Sequence, residues 1–136
     1  MKTDLLKIAQ VIASAIWADG EYDEAEKLTV NEIADALELD AAQFSEAVNS
    51  EIESIKNLTE EELSQYILDA AEGVDEEELE LVFEAVLQMI ISDNVLSTSE
   101  ISIALAIADA LSIEQEVAVL LLADLVKSEP ELEIEF

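Results

Sequence analysis

Residues 18–26 read Ala18-Asp19-Gly20-Glu21-Tyr22-Asp23-Glu24-Ala25-Glu26 and separate two predicted helices. Gly20 permits the left-handed backbone conformation that commonly ends a helix. Asp23 fits the N-cap of the next helix, and Glu26, three residues later, completes a capping box. The stretch is therefore predicted to form a tight helix–turn–helix connection with several carboxylates close together.

A second copy of this turn lies at residues 92–100, which read Ser-Asp-Asn-Val-Leu-Ser-Thr-Ser-Glu. In each copy an aspartate precedes a glutamate by seven residues: Asp19 precedes Glu26, and Asp93 precedes Glu100. A shift of 74 residues aligns the two copies. Two units with one apolar face each commonly bury those faces against each other. The two carboxylate pairs are therefore predicted to approach one another near the axis of the repeat.

The repeat extends over most of the chain. The same shift aligns Ile-Ala-Asp-Ala-Leu at 33–37 with the identical sequence at 107–111. Apolar residues recur at helical spacing, and N-cap residues mark the starts of seven helices. We predict a single all-α domain, a seven-helix bundle built from two three-helix repeats joined by a linking helix. Its parts are repeat one at 1–56, the linking helix at 59–72 and repeat two at 75–127, within a domain that spans 1–127.

Three local predictions depend on this scheme. Thr3 is expected to cap the first helix, and Asp75 with Glu78 is expected to form a capping box at the start of the fifth. The sixth helix, which Ser97 and Glu100 open, is apolar nearly all round from Ile101 to Leu111 and is expected to be the most buried element.

The chain ends in an acidic segment, residues 128–136, which is predicted to be a flexible tail. An alternative is that Leu132, Ile134 and Phe136, which alternate with glutamates, dock as a strand.

The charge of the chain is extreme. Its 34 acidic residues face five lysines, which gives a net charge of -29. Such a surface repels phosphate backbones and anionic lipid surfaces, so nucleic-acid binding is not expected. It favours metal ions and basic proteins as partners. There is no cysteine, so disulfides and thiolate metal sites are excluded.

The location of the chain is predicted from two absences. The N-terminal residues lack the basic region and cleavage site of a signal peptide. The most apolar run, at 101–111, is too short to span a bilayer, so membrane insertion is not expected. A cytoplasmic location is the default expectation.

Both carboxylate pairs are predicted to point inward. Asp19 continues the apolar stripe of Ile12 and Ile16, and Glu26 shares a face with Val30 and Ile33. An ionised carboxylate without a partner costs several kcal/mol to bury. The lysines do not lie on these faces, whereas a hard cation with oxygen ligands would satisfy the carboxylates.

The predicted metal ligands are Asp19, Glu26, Asp93 and Glu100, and the predicted cofactor is calcium or magnesium. An alternative remains open, in which the glutamates serve only as capping residues and Asp19 only as a turn residue.

An EF-hand is not well supported by the sequence. Asp-Gly followed by Glu26 matches the end of an EF-hand loop, but Ala15 and Trp17 would occupy its first ligand positions and cannot coordinate calcium.

The sequence shows no nucleophile and base at the spacing that a catalytic pair needs. A hydrolase that uses paired carboxylates is kept as an alternative, and it would require a concave pocket around the acids.

The sequence resembles the tellurite-resistance TerB-like family. The resemblance is carried by Ala18-Asp19-Gly20-Glu21 with Glu26, followed by Ile33-Ala34 and Leu37, and it covers most of residues 1–127. It implies a seven-helix, internally duplicated protein without enzymatic activity, with a metal site at the acidic signature and a role in stress response to toxic oxyanions. In the second copy Asp93 and Glu100 match this signature, but Ser92 replaces Ala and Asn94 replaces Gly.

A metal-free alternative function also follows from the charge. In that case the chain would be an acidic interaction module that binds a basic partner.

Overall fold

The computed structural model describes residues 2–19, 22–92, 94–129 and 131–135, with the backbone alone at 18, 19, 134 and 135. Seven α-helices and two short strands form this part of the chain. The helices are α1 (Leu5–Asp19), α2 (Glu24–Ala36), α3 (Ala41–Ile55), α4 (Glu60–Glu72), α5 (Leu79–Ile90), α6 (Thr98–Ala110) and α7 (Gln115–Ser128). The strands are β1 (Val95–Ser97) and β2 (Glu133–Glu135), and a 3₁₀ turn, Glu76–Glu78, precedes α5. The predicted all-α class is confirmed.

The first helices of the two repeats, α1 and α5, lie at the centre of the bundle. α1 packs against α3, α4, α5 and α6, while α5 packs against α1, α2, α6 and α7. The contacts of α3 with α1 and α2 recur as contacts of α7 with α5 and α6. The contact between α1 and α6 is matched by that between α5 and α2. This reciprocal pattern is what an approximate two-fold relation between the repeats requires.

The helix boundaries follow the predicted shift of 74 residues. The three helices of each repeat begin at equivalent positions: Leu5 and Leu79, Glu24 and Thr98, Ala41 and Gln115. α2 and α6 also end alike, because Glu38 and Ser112 both adopt left-handed backbone conformations with φ of 59° and 61°. The next N–H then bonds back to Ala34 in one repeat and to Ala108 in the other, each at 2.8 Å. Both ends are Schellman motifs, which satisfy carbonyls that the helix itself leaves without donors.

Asn94 occupies the position that the repeat aligns with Gly20. Its φ is 64°, and its N–H bonds to the carbonyl of Ile91 at 2.9 Å. Asparagine is one of the few residues that tolerate this left-handed region, so Asn94 can form this turn without a glycine. Gly20 itself lies outside the described residues.

The predicted starts of the first and fifth helices are wrong in detail. Thr3 does not cap α1, because its hydroxyl donates to Glu78 and accepts the N–H of Asp75 at 2.9 Å. Glu78 forms no capping box with Asp75, whose carboxylate instead accepts the N–H of Glu77 inside the 3₁₀ turn. The starts of the two central helices are thus joined to each other across 75 residues of sequence, a tertiary contact that local capping rules do not contain.

The expectation that the sixth helix is the most buried element is also wrong. Ser102, Ala106 and Asp109 of α6 are exposed, and only Glu100, Ala104, Ile107 and Ala108 of this helix are buried. The most continuous burial is in α1 and α5 instead. Many of the residues of α6 are small, and small side chains expose little apolar surface to water. An apolar composition on every side therefore did not require this helix to be buried.

Part of the acidic tail docks on the domain. β2 pairs in parallel with β1, with Leu96 opposite Ile134, and the N–H of Glu133 bonds to the carbonyl of Asn94 at 2.9 Å. This corrects the prediction of a flexible tail for residues 133–135 and agrees with the alternative of a docked strand.

The linking helix α4 is tied to repeat one through Glu51. The carboxylate of Glu51 on α3 accepts a hydrogen bond from Gln10 of α1 at 2.9 Å and one from the hydroxyl of Tyr66 on α4 at 3.0 Å. Burial raises the pKa of the Tyr66 phenol, and the bonded Glu51 carboxylate raises it further. One acidic side chain therefore joins three helices.

Candidate functional site

Glu26 is a buried carboxylate in the first turn of α2, with 3% of its surface exposed. Its N–H donates to the Asp23 side chain at 3.0 Å, and its own Oε1 accepts the N–H of Asp23 at 3.5 Å. These two bonds are the predicted capping box. The inward orientation predicted for Glu26 is therefore present, together with its capping role.

Glu100 has the same position in α6 and is 4% exposed. Its Oε1 accepts both the N–H and the hydroxyl of Ser97, each at 3.1 Å, and its N–H donates to that hydroxyl at 3.2 Å. The two glutamates are the only carboxylate side chains that are buried among the described residues. The fold has thus kept one buried glutamate at the same place in each repeat.

The two aspartates of the predicted site are not described at the level of their side chains. The backbone of Asp19 forms the last residue of α1, but its side chain lies outside the described residues, as does Asp93 altogether. Within the described part of the chain, no group of three or more carboxylates is close enough together to hold a metal ion. Only two of the four predicted ligands have described side chains, so the predicted four-carboxylate cluster stays a prediction.

Tyr22 lies in the connection between α1 and α2, where the charge of Glu26 acts on its side chain. Burial raises the pKa of its phenol; the Ser45 hydroxyl lowers this pKa, and the Glu26 carboxylate raises it. The hydroxyl oxygen is buried, and no described residue makes a hydrogen bond of good geometry to it. Lys27 lies on the other side, with its ammonium 5.7 Å from the centre of the tyrosine ring. Burial and the charge of Glu26 therefore both favour the neutral form of this phenol.

A separate groove of about 830 Å³ lies between α4 and α6. Its lining follows one face of each helix: Glu60, Leu63, Ser64, Ile67 and Leu68 from α4, and Ser99, Ser102, Ile103, Ala106, Asp109 and Ala110 from α6. Trp17, at the end of α1, completes the lining.

The sequence contains a pattern that is consistent with this groove, although the apolar stripes of single helices do not predict it. The α4 residues that line it recur at three and four positions, as on one helix face, and the facing residues of α6 include Ser102 and Ala106, which are too small to fill the space.

Comparison with known proteins gives no relative. No protein-family model matches the chain, and neither a curated protein nor a solved structure matches it. None of the described helices is long and apolar enough to cross a membrane.

Proposed function

We propose that the chain is a cytoplasmic, non-enzymatic TerB-like module that binds a divalent cation, calcium or magnesium. The observation that carries this proposal is the pair of buried carboxylates, Glu26 and Glu100, at equivalent positions of the two repeats. Asp19 and Asp93 complete the proposed ligand set. The link to tellurite resistance or another stress response rests on the resemblance alone.

The chemistry of the described donors fits a hard cation. Carboxylate oxygens are among the ligands that calcium and magnesium take in proteins, and Glu26 and Glu100 supply them from buried positions. Burial of an ionised carboxylate is unfavourable, and a bound cation offsets it more fully than neutral donors do. The capping boxes provide such neutral donors and are the competing explanation for both glutamates.

The replacement of each glutamate by glutamine separates these explanations. Glutamine keeps the capping-box acceptor but removes the charge that a cation needs. We expect saturating calcium or magnesium to stabilise the wild-type protein by about 4 kcal/mol at a thousandfold excess over the dissociation constant. The melting temperature should rise on the order of 10 °C over an EDTA control. Glu26→Gln and Glu100→Gln should each abolish most of this rise while melting normally in EDTA.

The control is Asp35→Asn, which removes one charge from an exposed site on α2. It should keep the full cation-dependent rise. All melts are run at constant ionic strength, because a chain of this charge is also stabilised by non-specific screening. An unchanged wild-type melt with both cations, or a full rise in Glu26→Gln, would contradict the proposal and leave capping as the role of both glutamates.

A second candidate function is a metal-free module that binds a basic protein. It is favoured by the net charge of -29 together with an open groove that has acidic residues on its lining. It predicts salt-sensitive binding of a cationic polypeptide that Asp19→Asn leaves unchanged.

A further inference from the structure

The groove between α4 and α6 has the dimensions of a helix-binding site. Its lining runs from residue 60 to 68 on α4 and from 99 to 110 on α6. At 1.5 Å per residue these faces are about 12 and 16 Å long, which matches two to three turns of a helix. Leu63 and Ile67 are buried, whereas Leu68 is 46% exposed. The groove thus presents apolar surface to solvent along a helix-length path.

The partner that fits this surface is itself helical. The walls are α-helices whose backbone groups are bonded within the helices, so they offer no free edge to an extended peptide. A helix satisfies its own backbone and inserts one apolar face between two others.

The charges at the groove favour a basic partner. Glu60 and Asp109 are exposed at the lining, and none of the five lysines contributes to it. A second copy of this chain would add another charge of -29 and is repelled. We propose that the groove between α4 and α6 binds an amphipathic helix of a basic protein, with its apolar face on Leu68 and Trp17 and its cationic residues beside Glu60 and Asp109.

This inference rests on the second candidate function, to which it gives a site and a partner class. The site is distinct from the buried glutamates, whose side chains do not line the groove. A failure of the groove proposal would therefore leave the cation-site proposal untouched, and the reverse also holds.

Trp17 provides an internal reporter, since it is the single tryptophan of the chain and lines the groove. The probe is a tryptophan-free synthetic helix of about 14 residues, made of leucine and lysine with the leucines on one face. A peptide of the same composition with scrambled order is the control ligand. Binding of the amphipathic peptide should shift the Trp17 emission to shorter wavelength and protect it from quenching, and the scrambled peptide should bind at least about tenfold more weakly.

Two pairs of variants locate the binding. Ala106→Phe fills the groove, and its control Ala42→Phe makes the same change at an exposed site on α3. Asp109→Lys reverses a charge at the groove, and Asp35→Lys makes the same change at the repeat-equivalent exposed position on α2. We expect the first variant of each pair to weaken binding about tenfold and its control to stay within about twofold of the wild type.

The outcomes separate the groove from the general acidic surface. Equal losses in both members of each pair, with no change in Trp17 emission, would overturn the groove as the site while supporting a basic partner bound elsewhere. Absence of binding by the amphipathic peptide at low salt would overturn the groove and the second candidate function together. Because the Asp109 and Asp35 variants alter only exposed side chains, they keep the test decisive if Ala106→Phe fails to fold.

Discussion

The third helices of the two repeats, α3 and α7, begin at equivalent positions but pack differently. α3 buries Phe44, Val48 and Ile55, each at most 1% exposed. α7 is described throughout and buries only Ala118 to this degree. The position of Phe44 in repeat one is held by Ala118 in repeat two. With the smaller side chain at this position, α7 is a peripheral helix, whereas α3 is part of the core.

The solvent-facing positions of the two helices differ in the opposite sense. Glu46 on α3 corresponds to Leu120 on α7, which is 65% exposed, and Ser45 corresponds to Val119, which is 52% exposed. Compared with α3, α7 therefore has a smaller side chain at its most buried position and larger apolar side chains at exposed positions. A duplicated unit can keep its helix starts and turns while its packing diverges, because starts depend on local capping and packing depends on the whole fold.

The largest expected loss of stability follows from truncation of Phe44, the large buried side chain of α3. Phe44→Ala should lower the free energy of unfolding by about 3–5 kcal/mol, because it deletes a fully buried aromatic ring and leaves a cavity. Leu120→Ala on α7 should change it by no more than about 0.5 kcal/mol, because that side chain is already mostly in water. Urea unfolding of both variants measures the contrast. Similar losses in the two helices would show that α7 is as firmly packed as α3.

A smaller loss of stability, equal in the two repeats, is expected when either of the equivalent N-cap side chains is removed. Asp23→Ala and Ser97→Ala each remove the N-cap side chain of a complete capping box. Each should destabilise the protein by about 1 kcal/mol, measured as a shift in the urea midpoint. A neutral Ser97→Ala beside a costly Asp23→Ala would mean that the second copy no longer depends on its cap, and the equivalence of the two turns would fail.

The features that were predictable from the sequence are the local ones. The start of α6 after Ser97 and the 74-residue register follow from capping residues and apolar spacing, which act within a few residues. The inward orientation of Glu26 and Glu100 also follows from that spacing. Where a side chain could form a hydrogen bond with either a local or a distant partner, the local sequence pattern predicted the wrong partner. Thr3 and Glu78 fit local caps, yet they bind each other.

The groove is a second feature that local sequence patterns do not predict. Each of its walls is an ordinary helix face, and the space arises only because α4, which has no counterpart in the repeat, stands beside the small residues of α6. Capping residues and apolar spacing within one helix do not determine that distance. The predicted cation site depended on spacing within one connection, which is why its buried glutamates were identified and the groove was not.

The smallest expected change in stability is at Glu78, whose side chain joins the start of α5 to the start of α1. Hydrogen bonds from the Thr3 hydroxyl and from the backbone N–H groups of Lys2 and Thr3 hold the pKa of Glu78 below its ordinary value. A carboxyl whose pKa is lower in the folded than in the unfolded state stabilises the fold above its unfolded pKa, near pH 4.5, and this contribution disappears as pH falls through the folded pKa. Glu78→Gln should therefore be less stable than wild type at neutral pH, and the difference should shrink below about pH 4.

The matched control is Glu76→Gln, which removes the same charge from an exposed residue of the same 3₁₀ turn. Urea midpoints at neutral and acidic pH measure both variants, and the comparison cancels the general relief of repulsion that acid brings to so acidic a chain. If both variants follow wild type in parallel across this range, the Thr3–Glu78 contact does not stabilise the junction of the repeats. A pH-dependent difference for Glu78→Gln alone would show that the Thr3–Glu78 contact stabilises the packing of the two repeats. The 74-residue shift aligns Glu78 with Asp4 and Thr3 with Glu77, so the same pair of residues does not occur at the equivalent positions.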